Sequence, residues 1–202
     1  MLEAMQARMA VRRFLPTPMP EATVREILRC ASAAPSGANL QPWNLHVLAG
    51  AVKQEIAAAL EHAFWHEADA HAEEYRYYPP EDAEPFAARK RALGTLFYEA
   101  LNITRDDAQG RQRQSARNCR FFDAPVGMVF TIDRRLEQGS WLDYGMFLQN
   151  IMLAARACGL DTCPQVSIAR YHRVLARHCA SPRPKWWCAA WRSATAIPMR
   201  RS

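Results

Sequence analysis

The chain has 202 residues, half of them apolar, which suits one domain with one sizeable core and excludes a disordered chain. Its net charge of +6 invites a nucleic-acid reading, but the excess is local. Residues 179–202 hold Arg183, Lys185, Arg192, Arg200 and Arg201 and no acid, leaving 21 basic against 20 acidic residues in the rest. A nucleic-acid binder carries its basic face on the folded body, so no nucleic-acid partner is expected.

No apolar run approaches the roughly 20 residues that span a bilayer, so no membrane partner is expected. The opening MLEAMQARMA is interrupted by Glu3 and Gln6 and does not read as a signal peptide. A cytoplasmic protein is therefore expected. The six cysteines form no C-x-x-C pair and no zinc spacing, and reduced thiols are expected.

In chain order, residues 2–10 read as a short helix with Leu2, Met5 and Met9 on one side. Pro16, Pro18 and Pro20 then force an extended segment. Val24, Ile27, Leu28 and Ala31 follow the helical period from Glu21 to about Ala34, where Pro35, Ser36 and Gly37 stop it. Leu45, Val47 and Leu48 predict a strand ending at Gly50, with a helix over 51–64 after it. Residues 66–85 are polar, aromatic and proline-containing, an excursion with no legible fold. Helices are predicted over 86–101 and 105–118. A strand is predicted over Val126–Ile132, then an apolar helix over Trp141–Cys158 and an amphipathic one over 170–178. Few strands among many helices indicate an α+β layer fold.

Two segments carry chemistry. Arg8 and Arg12 are four apart, so a helix-like conformation would point both guanidiniums one way, an arrangement suited to a phosphate. An arginine pair at a helix end is equally compatible with solvated surface. Between the second helix and the first strand lies Ala34-Pro35-Ser36-Gly37-Ala38-Asn39-Leu40-Gln41-Pro42-Trp43. Small residues there let backbone approach a flat ligand, and Ser36, Asn39 and Gln41 offer hydrogen bonds to ring edges. An ordinary turn with Trp43 in the core would have the same composition.

Taken in this order, the two segments resemble the signature of the nitroreductase family. The likeness continues through Asn118, the Phe121-Phe122-Asp123-Ala124-Pro125-Val126 strand entry, the helix Asp143–Arg156 and Gly159-Leu160-Asp161-Thr162-Cys163-Pro164-Gln165. The resemblance implies an α+β fold with a central, mostly antiparallel sheet flanked by helices, assembled as a homodimer. It implies FMN as cofactor and NAD(P)H as co-substrate, with hydride passing through flavin to nitroaromatics, quinones or similar small-molecule acceptors. Carried over residue by residue, Arg8 and Arg12 would hold the FMN phosphate. Pro35, Ser36 and Asn39 would reach the flavin of the partner subunit, and Pro164 and Gln165 would lie near the reactive edge of the ring. The chain departs from the pattern at Ala10, where many relatives have serine. Losing that hydroxyl removes one hydrogen bond, worth about 0.5–1.5 kcal/mol. The cofactor carries the chemistry, so no catalytic residue is assigned. A flavin-destroying or dehalogenating specialisation would turn on residues 66–85.

Other motifs weigh less. His62 and His66 have a helical metal-binding spacing but no third ligand, and no metal is assigned. Tyr75, Tyr77 and Tyr78 suit either a substrate entrance or a packed surface loop. The apolar helix 141–158, with Trp141, Leu142, Met146, Phe147 and Ile151, has more greasy surface than one small domain covers, which supports a dimer.

The C-terminus does not fit. Three of six tryptophans (Trp186, Trp187, Trp191) fall after His178, where the family would place an edge strand, a Gly-rich turn and a phosphate-binding basic residue. Tryptophan has the single codon TGG, so Trp186-Trp187-Cys188 read from third bases, starting in Lys185, gives Val-Val-Val. Continued with free synonymous third bases, Pro184–Met199 can read EVVVCGMALGYRDPDA, which resembles the family's strand and Gly-Tyr turn. The expected organisation is therefore a nitroreductase-like domain over 1–178 and an out-of-frame tail over 179–202. The alternative function is an impaired or non-catalytic remnant.

Overall fold

The computed structural model describes residues 2–80 and 83–179, and residues 185–194 as backbone. Seven α-helices among the described residues surround a four-stranded sheet: α1 (Leu2–Ala7), α2 (Glu21–Ala31), α3 (Gly50–His66), α4 (Phe86–Glu99), α5 (Ala108–Ala116), α6 (Gln138–Ala157) and α7 (His172–His178). The strands are β1 (Asn44–Ala49), β2 (Val126–Asp133), β3 (Asp161–Thr162) and β4 (Lys185–Ala194), in the order β1-β2-β4-β3, and every strand pair is antiparallel.

β2 is the spine, and its pleat sorts the core into two layers. Val126, Met128, Phe130 and Ile132 point to one face and meet Val24, Ile27 and Ala31 of α2 with Tyr144, Phe147 and Ile151 of α6. Val129 points to the other face and meets Ile56 and Leu60 of α3 with Val174 and Leu175 of α7. The buried positions of α6 (140, 144, 147, 151 and 155) recur at the helical period, so one stripe faces the sheet. Gly127 is required by close approach: a Cβ there would lie 2.9 Å from the Phe121 ring, which has no exposed surface. The Tyr144 hydroxyl lies 2.7 Å from the Asn44 carbonyl and 3.1 Å from that of Thr131, tying α6 to the β1–β2 ladder.

Several element bounds differ from expectation, each for a local reason. The first helix stops at Ala7 because the following backbone is taken by another partner, Val11 N–H donating to the Thr162 carbonyl at 3.1 Å. Arg8 and Arg12 are therefore not on a helix. In extended chain positions i and i+4 still share a side, at about 13 Å separation. The helix expected over 105–118 starts at Ala108, where the Asp107 carboxylate accepts the Gly110 N–H at 2.7 Å. The helix expected from Trp141 starts at Gln138, and the one expected over 170–178 divides into a tight turn, Ser167–Tyr171, and α7.

β4 corrects the expectation of an edge strand. It pairs along the whole of β2 on one side and with β3 on the other, so it is interior. The ladder uses backbone groups that every non-proline residue carries, so pairing alone does not test the reading frame. The side chains of 185–194, with the expected overpacking of the indoles, lie outside the described residues, as do 180–184 and the expected turn beyond 194. Among the described residues no helix is long and apolar enough to cross a membrane.

Candidate functional site

The opening segment and the Gly159–Gln165 loop, far apart in sequence, are joined by backbone pairing. Ala10 bridges Thr162 in parallel, and the Val11 bond described above extends the contact. This places Arg8, Ala10 and Arg12 along the same ridge as Pro164 and Gln165. Thr162, Cys163 and Gln165 are buried while Pro164 is exposed, so the loop is anchored on one side and open on the other. The Gln165 side-chain amide donates to the Asn118 side-chain oxygen, which explains why the sequence pattern carries Asn118 before the strand entry.

The two arginines do not converge on one point. Arg8 leans on α6, with Nη1 3.8 Å from the Met152 sulfur. Arg12 lies over the Phe97 ring of α4, 4.9 Å from its centroid, with Nη1 3.4 Å from the Ala10 carbonyl. Neither has a carboxylate partner among the described residues, so both cations are available to an external anion.

Above Pro164 and Gln165 opens a cavity of about 850 Å³, within the size range of small-molecule sites. Trp141, Tyr144, Gly145 and Leu148 of α6 form one wall, and Tyr75 to Tyr78 form another. Arg134, Leu136, Glu137 and Gln138, from the β2–α6 connection and the start of α6, close a third side. The excursion is held over the cavity by cations from below. Arg170 Nε donates to the His71 carbonyl at 2.9 Å and Nη2 to the Ala68 carbonyl at 2.8 Å, while Arg134 pairs with Glu74. Tyr75 packs against Trp141 at 5.2 Å, and Tyr77 meets Tyr78 edge-on at 4.7 Å. The tyrosines thus both line the cavity and pack on neighbouring rings, whereas Arg76, Arg134 and Glu137 gave no sequence signal because their placement depends on where the excursion lies.

Pro35, Ser36 and Asn39 lie elsewhere. Their loop is fastened to α6 by Gly37 N–H donating to Asp143 Oδ2 at 3.0 Å, nine residues before Met152 on that helix. Nine residues of helix span roughly 13 Å. The loop is tightly wound: Ala38, Asn39 and Gln41 have positive φ (49°, 57° and 46°). Ser36 Oγ accepts the Gln41 N–H at 3.0 Å and Asn39 Oδ1 accepts from Gln41 Nε2 at 2.8 Å. Trp43 is stacked on Phe147, so the segment is an exposed, internally bonded loop with a core anchor. His62 and His66 approach to 4.9 Å between ring centroids on an exposed face, and no group of side chains able to hold a metal occurs among the described residues.

The donor set suits a phosphate-bearing planar cofactor: two guanidiniums without a carboxylate partner among the described residues, on a segment joined by backbone pairing to the loop whose Pro164 and Gln165 line an aromatic cavity large enough for a ring system. The Nitroreductase family model matches residues 5–191. The chain is 46% identical over 169 residues to a 4-nitrobenzoate reductase of Pseudomonas putida, covering 84% of this chain and 73% of the relative. It is 44% identical over 168 residues to a nitrobenzene nitroreductase of Ectopseudomonas oleovorans, covering 83% and 74%. Among solved structures, the FMN- and NADPH-dependent nitroreductase NfnB from sphigopyxis sp. strain HMH superposes with a TM-score of 0.93 at 31% identity, covering 100% of this chain and 94% of that one. The FMN-dependent NfnB from Mycobacterium smegmatis, in complex with NADPH, gives 0.90 at 26% identity, covering 100% and 93%. The backbone pairing of the opening segment with the Thr162 loop and a match running through most of the sheet lead to one assignment: this chain belongs to the nitroreductase family.

Proposed function

We propose that this protein is an FMN-dependent oxidoreductase that moves reducing equivalents from NAD(P)H to nitroaromatic, quinone or similar acceptors. The observation that carries the reading is the Ala10–Thr162 bridge, which joins the segment of Arg8 and Arg12 to the loop whose Pro164 and Gln165 line an aromatic cavity. When bound, FMN supplies two-electron chemistry, taking hydride from reduced nicotinamide and giving electrons to a nitro or quinone group. The chain's own residues do the rest. Arg8 and Arg12 turn from their contacts on Met152 and Phe97 to hold the phosphate by charge-assisted hydrogen bonds, with no serine hydroxyl at Ala10 to add to them. Gln165, fixed by Asn118, and Pro164 border the ring edge. Trp141 and Tyr144 keep water from one side of the cavity. The test is the visible flavin spectrum of the purified protein together with NADPH oxidation in the presence of nitrobenzene. Arg12→Ala should lose FMN on dialysis with its melting temperature little changed, and a variant that retains flavin as well as the parent would refute the phosphate role.

The working form is a homodimer. Leu142 and Met146 of α6 are exposed, as are Leu2, Met5 and Met9 in and just after α1, while Phe147 and Ile151 on the same α6 face the core. The helix thus carries a second apolar side that its own chain leaves uncovered. The Pro35–Asn39 loop is fastened at Asp143, roughly 13 Å along α6 from the Met152 contact of Arg8, and serving the partner's flavin accounts for that offset. Sedimentation of an FMN-loaded monomer at micromolar concentration would refute the dimer.

The tail, 179–202, is the out-of-frame product of a shifted gene, and the chain as written holds FMN less well than the restored protein. The codon reading of Trp186-Trp187-Cys188 as valines supports this, as does a long interior strand where β-branched residues pack well. Sequencing the source DNA across codons 175–202 and restoring the frame by one base tests it. A restored protein that binds flavin no better would defeat it.

A further inference from the structure

We infer that Arg76 selects the acceptor, and that the acceptor class it favours is a nitroarene bearing a carboxylate, such as a nitrobenzoate; this rests on the oxidoreductase reading above. The cavity has aromatic walls from Tyr75, Tyr77, Tyr78 and Trp141, a lining that takes a flat ring but does not by itself tell a neutral nitroarene from an anionic one. Charge makes that distinction. Three charged side chains line the cavity: Arg76, Arg134 and Glu137. Arg134 is spent on Glu74, whose side chain is largely buried, and that ion pair pins the excursion to the end of β2. His172 stands 3.9 Å from the same carboxylate, so Glu74 is held from two sides and is not available to repel a ligand.

Arg76 differs from Arg134. Among the described residues it has no ion pair, hydrogen bond or stacking partner, although it stands between tyrosines that do pack. Arg76 is exposed on the wall of the aromatic cavity, where its guanidinium offers a planar fork of donors that a carboxylate can fill in a bidentate manner. A ring placed among the tyrosines with its carboxylate on Arg76 leaves its other end directed away from the excursion. Glu137, also without a salt bridge, opposes Arg76 electrostatically and penalises an anion placed at the α6 end. The two charges together orient the ligand: carboxylate toward the excursion, nitro group away from it.

The experiment compares 4-nitrobenzoate, neutral 4-nitrobenzamide and nitrobenzene as acceptors for the FMN-loaded protein and its Arg76→Gln variant. Steady-state kinetics with NADPH are paired with equilibrium dialysis of 4-nitrobenzoate, which needs no turnover. Arg76→Gln should raise KM and Kd for 4-nitrobenzoate by about five- to tenfold, the range of a partly exposed charge-assisted pair, with kcat little changed. Values for the two neutral acceptors and KM for NADPH should stay unchanged. Glu137→Gln should tighten 4-nitrobenzoate and leave nitrobenzene alone. Equal loss for charged and neutral acceptors would overturn the inference, as would no loss at all. A loss confined to NADPH would overturn it too, because the anion recognised would then be the nicotinamide's phosphate. If no acceptor supports NADPH oxidation, the oxidoreductase reading fails, while dialysis still reads the Arg76 effect separately.

Discussion

Truncating Phe147 to alanine tests the link between the α6 core stripe and the loop that carries Pro35, Ser36 and Asn39. Phe147 is 1% exposed, stacked on Trp43 with ring centroids 4.8 Å apart and planes 6° apart, and edge-on to Phe130 and Tyr144 at 6.4 and 6.1 Å. Removing a ring so enclosed loses its transfer free energy and leaves a cavity, together about 3–5 kcal/mol. In a chain of this size each kcal/mol moves the melting temperature by about 2–4 °C, so a fall of roughly 6–20 °C is expected. Phe147→Leu keeps most of the apolar volume and should cost about 1–1.5 kcal/mol. A double-mutant cycle with Trp43→Ala should return a coupling of about 0.5–1.5 kcal/mol for the stacked pair. The assay is circular dichroism melting at one fixed protein concentration, because association shifts the midpoint. Flavin retention should fall alongside, since Trp43 anchors the Pro35–Asn39 loop. A Phe147→Ala melting temperature within about 3 °C of the parent would refute the packing argument. Normal flavin retention in a clearly destabilised variant would refute the link to the loop.

Gly127→Ala should destabilise by about 1–3 kcal/mol, read as a shifted urea midpoint, because its Cβ would meet the buried Phe121 ring at 2.9 Å. Asp143→Ala removes the acceptor of the Gly37 N–H and should cost about 0.5–1.5 kcal/mol while loosening flavin, measured by dialysis against buffer. Burial pushes the Cys179 thiol above its ordinary 9.0 and the Tyr171 phenol above its ordinary 10.0. Both groups hold their protons more tightly folded than unfolded. Their stabilisation is therefore full below those ordinary values and declines as pH rises past them. Urea midpoints should fall from pH 8.5 upward, at about the ordinary thiol value first, and Cys179→Ala with Tyr171→Phe should flatten that limb.

The sequence alone determined what repeats locally or is spelled by residue type. Apolar periodicity located α2, and apolar runs bounded by glycine or proline located α6 and the β2 strand, within a few residues, because buried elements must be apolar over their own length. The Pro35–Trp43 segment and the Gly159–Gln165 loop were legible as motifs, since tight turns and close approach restrict which residues fit. Tertiary structure decided the rest. That Arg8 and Arg12 follow an extended ridge follows from Val11 donating to Thr162, a bond between residues far apart in the chain that local pattern does not encode. The excursion over 66–80 gained its place only through Arg170 and Arg134 reaching it from distant elements, which is why Arg76 could not be singled out beforehand. The interior position of β4 likewise came from the ladder rather than the letters. Strand pairing joins backbone groups common to nearly all residues, so this tryptophan-rich segment completes the sheet between β2 and β3 whatever its reading frame.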